Sequence, residues 1–259
     1  MSKEYEYFSN EQDKDFYINS MKKYVETKQG LDQKLEELIT PIIQNNNFKI
    51  LDACCGIGHL DYFFSSISPK SKFFGVDQTG FLIDEAKKLC SDKKNVSFEV
   101  DSVYDLPQKY SKSFDITINW KTLSWLPYYE ECVKSLFAVT RKHIFLSSLF
   151  YDGDIDFEIK VREYKKEKSK NGFNQFYNVY SYPKFEKFLY DLGAKSVKSH
   201  DFEINVDIPK PPIDHMGTYT MNVDNGKRLQ VSGPILMLWK IIQIDLLFMS
   251  FYFDIAGER

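Results

Sequence analysis

Ile50-Leu51-Asp52-Ala53-Cys54-Cys55-Gly56-Ile57-Gly58 is the stretch that decides how the rest of this chain reads. An apolar run leads into Asp52, two small thiol residues follow, and Gly56 and Gly58 bracket Ile57. Leu60, Phe63, Phe64 and Ile67 then recur at helical spacing. This order predicts a buried strand, a tight turn and a helix. Without side chains at 56 and 58 a ligand can approach the backbone closely, and the first free N–H groups of the helix can receive a carboxylate or phosphate. A large flat ligand with an anionic end fits such a turn.

Working outward, Lys72 to Asp77 predicts a second strand, ending on an acid nineteen positions beyond Gly58, with Gln78 next to it. An acid there can accept two hydrogen bonds from a ribose diol. Helix 80 to 90 follows, with Leu82, Ala86 and Leu89 facing inward. Asn95 to Val100 is a third strand before Asp101-Ser102-Val103, and Phe114 to Ile118 a fourth that opens into Asn119-Trp120-Lys121. Helix Tyr128 to Val139 returns the chain to strand 143 to 149. Repeated strand–helix units imply a parallel sheet. Asp52, Asp77, Asp101 and Asn119 thus stand at four successive strand ends, where open α/β sheets bind ligands. The glycine pair alone could mark a crowded turn; with the ordered acids it predicts a nucleotide cofactor.

These motifs resemble the class I S-adenosylmethionine-dependent methyltransferases over roughly residues 45 to 205. The resemblance implies an α/β fold, a doubly wound, mostly parallel seven-stranded sheet with a terminal antiparallel hairpin. It implies that Gly56 and Gly58 adjoin S-adenosylmethionine and that Asp77 binds its ribose hydroxyls. Asp101 would approach the adenine amino group, with the Ser102 backbone nearby, and Asn119 the methionine moiety. Asp52, Cys54, Gln78 and Val103 are expected in the same cofactor set. Cys54 and Cys55 replace small residues, often Gly, of many relatives. NAD is the competing cofactor, but its fingerprint would place a third glycine near residue 61, where Asp61 stands. An acid is a poor neighbour for pyrophosphate.

The 259 residues suit one α/β domain: a helical cap at 1–44, a cofactor core at 45–149 and a substrate-side extension at 150–259. A net charge of -3 disfavours nucleic acid as a partner. Four cysteines, two of them adjacent, make no disulfide framework and fit a reduced, cytoplasmic protein. The first residues lack a signal peptide's apolar segment, and Lys240, Gln243 and Asp245 interrupt 234–253, so no membrane span is expected. A homodimer stays open. In the cap, Phe16, Tyr17, Met21 and Tyr24, then Leu31, Leu35, Leu38 and Ile42, predict two helices, the second ending near Pro41. They could form a lid or simply pack on the sheet.

Substrate chemistry is expected in the distal half. Ser181 and Pro183 start a helix that Gly193 closes, and strand 194 to 204 follows. The family's hairpin would make 205–227 the connection between the last two strands, with 228–245 an edge strand and its apolar continuation around Gly233-Pro234. His215 is the first candidate general base for a hydroxyl acceptor and Asp154 the second. Tyr151 and Tyr219 would stack, while Arg228 and Gln230 would orient acceptor oxygens. Asp152, Asp154 and Asp156 leave a divalent cation open beside a plain solvated loop. His59, directly after the second turn glycine, could contact the cofactor but reads first as a cap or packing residue. The stretch from Gly217-Thr218-Tyr219-Thr220 to Ser232-Gly233-Pro234 resembles, more weakly, small-molecule methyltransferases of bacterial surface-polysaccharide pathways. It implies a sugar or nucleotide-linked sugar acceptor and O-methylation, with small-molecule N-methylation or noncatalytic binding as alternatives.

Overall fold

The computed structural model describes residues 14–28, 30–163, 173–202, 206–210, 218–222, 228–232, 235–236 and 238–246. Two helices come first, α1 (Lys14–Glu26) and α2 (Gly30–Ile43). They are followed by β1 (Lys49–Ala53), α3 (His59–Ile67), β2 (Lys72–Asp77), α4 (Gly80–Leu89) and β3 (Val96–Val100). The short α5 (Leu106–Lys109), β4 (Phe114–Asn119), α6 (Tyr129–Val139) and β5 (Thr140–Tyr151) complete five parallel strands in the order β3-β2-β1-β4-β5. The order reverses between β1 and β4, which makes the carboxyl edge there the crevice of the sheet.

The central strands read as continuous apolar runs because helices cover both faces. Ile50, Leu51, Ile116, Ile144 and Leu146 have no exposed surface. On one face Leu51, Val76, Leu136 and Phe150 join Phe185 and Leu189; on the other, Ile50, Ile116 and Phe145 meet Leu60 and Phe64 of α3. Leu31, Leu35, Ile39 and Ile43 form the stripe that docks α2 on this second face. Full burial of each such side chain contributes about 1.5–3 kcal/mol. The helix runs on past Pro41 to Ile43. Its last turn tolerates the ring, and Ile43 is fully buried at the end of the stripe.

β6 (Lys160–Glu163) and β7 (Phe173–Phe176) form a separate antiparallel ribbon, and β8 (Tyr180–Ser181) adds to the end of β5. Ser181 then caps α7 (Tyr182–Asp191) by accepting from the Lys184 amide at 3.4 Å, and Gly193 leaves the helix with φ +94°. The sheet ends in the expected hairpin partners, β9 (Ala194–Phe202) and, between it and β5, an antiparallel strand at Leu238–Leu246. The edge strand expected from residue 228 lies instead in a separate small sheet, and the apolar continuation supplies the main-sheet strand. β10 (Thr218–Asn222), β11 (Arg228–Ser232) and β12 (Ile235–Leu236) pair with one another, and β13 (Leu238–Leu246) alone joins the main sheet. The insertion between the last two strands thus extends from 203 to 237. Among the described residues no helix is long and apolar enough to cross a membrane.

Candidate active site

The turn from β1 into α3 is built from residues in left-handed backbone: Cys54 at φ 65°, Gly56 at 56° and Gly58 at 70°. It is fixed to β2 by the Cys55 amide on the Val76 carbonyl and closed by the Gly58 amide on the Cys55 carbonyl, both at 2.9 Å. A Cβ on Gly58 would stand 2.5 Å from the Phe98 ring and 3.2 Å from the Ala86 Cβ. Strand-to-helix packing therefore already requires this glycine, without any ligand. At Gly56 the nearest atom is the Met21 sulfur of α1, at 3.4 Å. Ile18, Met21 and Val25 of α1 pack with Ile57 and Leu82, so the N-terminal helix lies over the turn. Gly58→Ala is expected to destabilise the fold by about 1–3 kcal/mol through overpacking, read as a lower urea midpoint; Phe98→Ala in the same chain should relieve part of the clash.

Asp77 closes the turn from β2. Its Oδ2 accepts from the Gly56 amide at 3.1 Å and its Oδ1 from the Thr79 amide at 2.9 Å. Burial raises its pKa, and these donors pull the other way. Asp101, one strand over, accepts from the Ser102 amide and from Lys109 Nζ, each at 2.9 Å, and its own amide bonds the Asp77 carbonyl. Val103 is buried and Gln78 exposed. Asn119 has no exposed surface; its Nδ2 donates to the Ala53 carbonyl at 3.0 Å, while its Oδ1 has no partner. Asp52 lies behind the turn, 2% exposed, against Asp61 of α3, which is 1% exposed. Asp52 Oδ2 and both oxygens of Asp61 have no donor from any other residue, and the two carboxyls hydrogen-bond each other. Burial raises the pKa of both acids; the Asp52 carboxylate raises that of Asp61 further, while the hydrogen bond from Asp61 pulls that of Asp52 down.

A second polar group faces the turn from the cap. Asp32 of α2, 1% exposed, accepts from Trp120 Nε1 at 2.8 Å and pairs with Lys121 Nζ at 2.7 Å. Lys121 lies in left-handed backbone at φ 59°, held by its amide on Ser147 Oγ at 2.8 Å. Its ammonium stands 4.8 Å from the Tyr24 ring centre, and that ring lies 5.6 Å from the His59 imidazole. His59 Nε2 is 3.8 Å from Asp32 Oδ2. Burial holds the imidazole neutral, with its pKa down to about 4. Sequence reading missed this cluster. Its local traces were a histidine directly after Gly58 and a lysine two residues after Asn119.

Residues 44–187, more than half of the chain, match the family model described as a methyltransferase domain. The chain belongs to the methyltransferase-domain family. The YcgJ protein of Bacillus subtilis shares this fold at 15% identity and TM-score 0.56, over 82% of this chain and 97% of that one. Magnesium protoporphyrin IX methyltransferase of Synechocystis PCC 6803, solved with bound S-adenosylhomocysteine, is similar at 12% identity and TM-score 0.51, over 92% and 88%. The uncharacterized protein RP028 of Rickettsia prowazekii is 39% identical over 80 residues, 30% of this chain and 32% of that protein. This match spans about a third of the relative's length.

The residues expected on the substrate side fall on two separate parts of the methyltransferase domain, the loop after β5 and the small sheet. Tyr151 is exposed, its ring 5.8 Å from Phe157. Asp154 is exposed on the same loop, but Asp152 pairs with Lys240 at 2.9 Å. Asp156 accepts from the Ser181 amide at 2.6 Å and Lys184 Nζ at 2.7 Å. Two of the three acids therefore have cationic partners within the protein. Among the described residues no group of three His, Cys, Asp or Glu is placed to hold a metal ion. Tyr219 and Gln230 belong to the small sheet, with Lys210 Nζ 5.9 Å from the Tyr219 ring centre. Arg228 pairs with Asp207 at 2.8 Å. A cavity of about 520 Å³ is lined there by Asp207, Lys210, Tyr219 and Asn222. His215 lies outside the described residues.

Proposed function

We propose that this methyltransferase domain transfers a methyl group from S-adenosylmethionine to a hydroxyl of a small molecule, a sugar or nucleotide-linked sugar. Asp77 carries the cofactor reading. Its carboxylate stands at the end of β2 beside the left-handed turn, accepting from the Gly56 and Thr79 amides and the Thr79 hydroxyl, with acceptor capacity left for a ribose hydroxyl. Gly56, Gly58, Asp101 and Asn119 surround the same edge, and the orphan Asn119 Oδ1 can accept from an ammonium group. Asp61, buried under the turn, argues against a pyrophosphate. When bound, S-adenosylmethionine supplies an electrophilic methyl on a sulfonium. The domain's own part is to orient the acceptor and exclude water. The sugar acceptor draws support from the sequence resemblance of 217–234 and from the polar loop at 151–156.

Calorimetric titration with S-adenosylhomocysteine tests the cofactor. Hydrogen bonds to a charged group contribute about 1.5–3 kcal/mol, so Asp77→Ala is expected to weaken binding about tenfold or more. Tight NAD binding with no heat from the methionine-derived ligands would reverse the assignment. Mass spectrometry of reactions with pooled sugars, nucleotide-sugars and amines then identifies the acceptor atom; methylation confined to amines would replace the hydroxyl reading.

A further inference from the structure

We propose that His59 is the base that receives the acceptor's proton, with Asp32 as the positioning residue that fixes its tautomer. The inference rests on the hydroxyl-methylation reading above. The chain has four histidines. His143 is paired with Asp245 at 2.6 Å near the amino end of β5, away from the carboxyl edge, and His200 lies on the outer strand β9. His215 lies outside the described residues. His59 alone among the described histidines opens the helix that leaves the glycine turn.

The two groups are placed to form a dyad. Nε2 of His59 and Oδ2 of Asp32 face each other at 3.8 Å, beyond hydrogen-bond distance, and both are buried without a hydrogen-bond partner. Trp120 and Lys121 occupy the other carboxylate oxygen. Catalytic hydrogen bonds are commonly long in ligand-free enzymes and tighten in the complex. A proton on Nε2 directed at Asp32 leaves the lone pair on Nδ1. The side chain is 13% exposed, and Nε2 is wholly buried, so the accessible part of the ring is elsewhere. Tyr24 from α1 lies across the imidazole and Lys121 from the turn after β4 stands beyond it, so the cap helices wall the site.

Three effects set the proton affinity of His59: burial and the Lys121 ammonium oppose imidazolium, and the Asp32 carboxylate favours it. The ring is consequently a free base at neutral pH. A weak base suffices here. As the acceptor oxygen's lone pair forms the C–O bond and the C–S pair passes to sulfur, the O–H becomes oxonium-like and far more acidic than imidazolium. The proton moves to Nδ1, and water removes it when product leaves.

Two measurements test the assignment on the full chain. Nitrogen-15 NMR, with the ring signals assigned through His59→Asn, is expected to find a neutral Nε2–H tautomer between about pH 6 and 8. An Nδ1–H tautomer would overturn the proposal. General-base contributions run about 10²–10⁴, so His59→Asn should lower turnover on hydroxyl acceptors about a hundredfold or more. Its S-adenosylhomocysteine affinity should stay within about twofold of wild type. Full turnover with intact cofactor binding sinks the base assignment alone. Wild-type protein that binds no S-adenosylhomocysteine, or methylates none of the pooled hydroxyl compounds, sinks the transfer reading and this proposal with it.

Discussion

Asp32→Ala is expected to cost about 3–5 kcal/mol of folding stability, the range for removing one partner of a buried ion pair. The carboxylate is 1% exposed and holds both Lys121 Nζ and Trp120 Nε1. Its loss leaves a cation whose pKa burial already lowers, together with a buried indole donor. Without the carboxylate the folded-state pKa of Lys121 falls further below its unfolded value, so the variant should regain stability as pH rises. Urea unfolding at several pH values measures both effects. Asp32→Leu combined with Lys121→Met is the control: with both charges replaced by apolar groups, much of the loss should be recovered. A single-variant loss under about 1 kcal/mol, independent of pH, would mean that the cap is not tied to the turn after β4 by this pair.

The same cluster marks the boundary of what the sequence makes legible. The apolar run into Asp52, the glycine turn, and the acids closing β2 and β3 are local patterns, and the structure places all of them on one edge of the sheet. Ser181 and Gly193 likewise mark α7 because caps act within a few residues. Asp32 is 88 positions from its partner Trp120, and no periodicity connects an acid on α2 with the strand end at Asn119. Gly58 was legible as a turn residue but not as the seat of the Phe98 ring, which comes from another strand. In the distal half, two apolar runs flank Gly233-Pro234, and either could have joined the main sheet. β13 does so with Lys240 buried near its start, neutralised by Asp201 at 2.6 Å and Asp152 at 2.9 Å. In the sequence that lysine reads as an interruption.

Asp61→Asn is expected to make the ligand-free protein more stable at neutral pH than wild type, and to flatten its pH dependence. Asp52 and Asp61 are buried against each other, and two adjacent carboxylates cannot both ionise cheaply in that setting. Burial is the main cause that raises both pKa values, with Asp52 carried from 3.8 to about 7. An acid whose folded pKa lies above its unfolded one binds its proton more tightly in the folded chain. The stability it contributes is fully present below the ordinary carboxylate range and is lost as pH rises toward neutrality. Asparagine keeps the shape, removes one charge and supplies an amide donor to Asp52, so the variant should gain on wild type steadily between about pH 4 and 7. Asp52→Asn should produce a similar difference, and the double variant little more, because a single shared proton underlies both. Thermal unfolding followed by circular dichroism across that range checks the expectation. A wild-type-minus-variant difference that does not change with pH would mean that the two acids do not share a proton, and that their burial under the glycine turn is compensated by another contact.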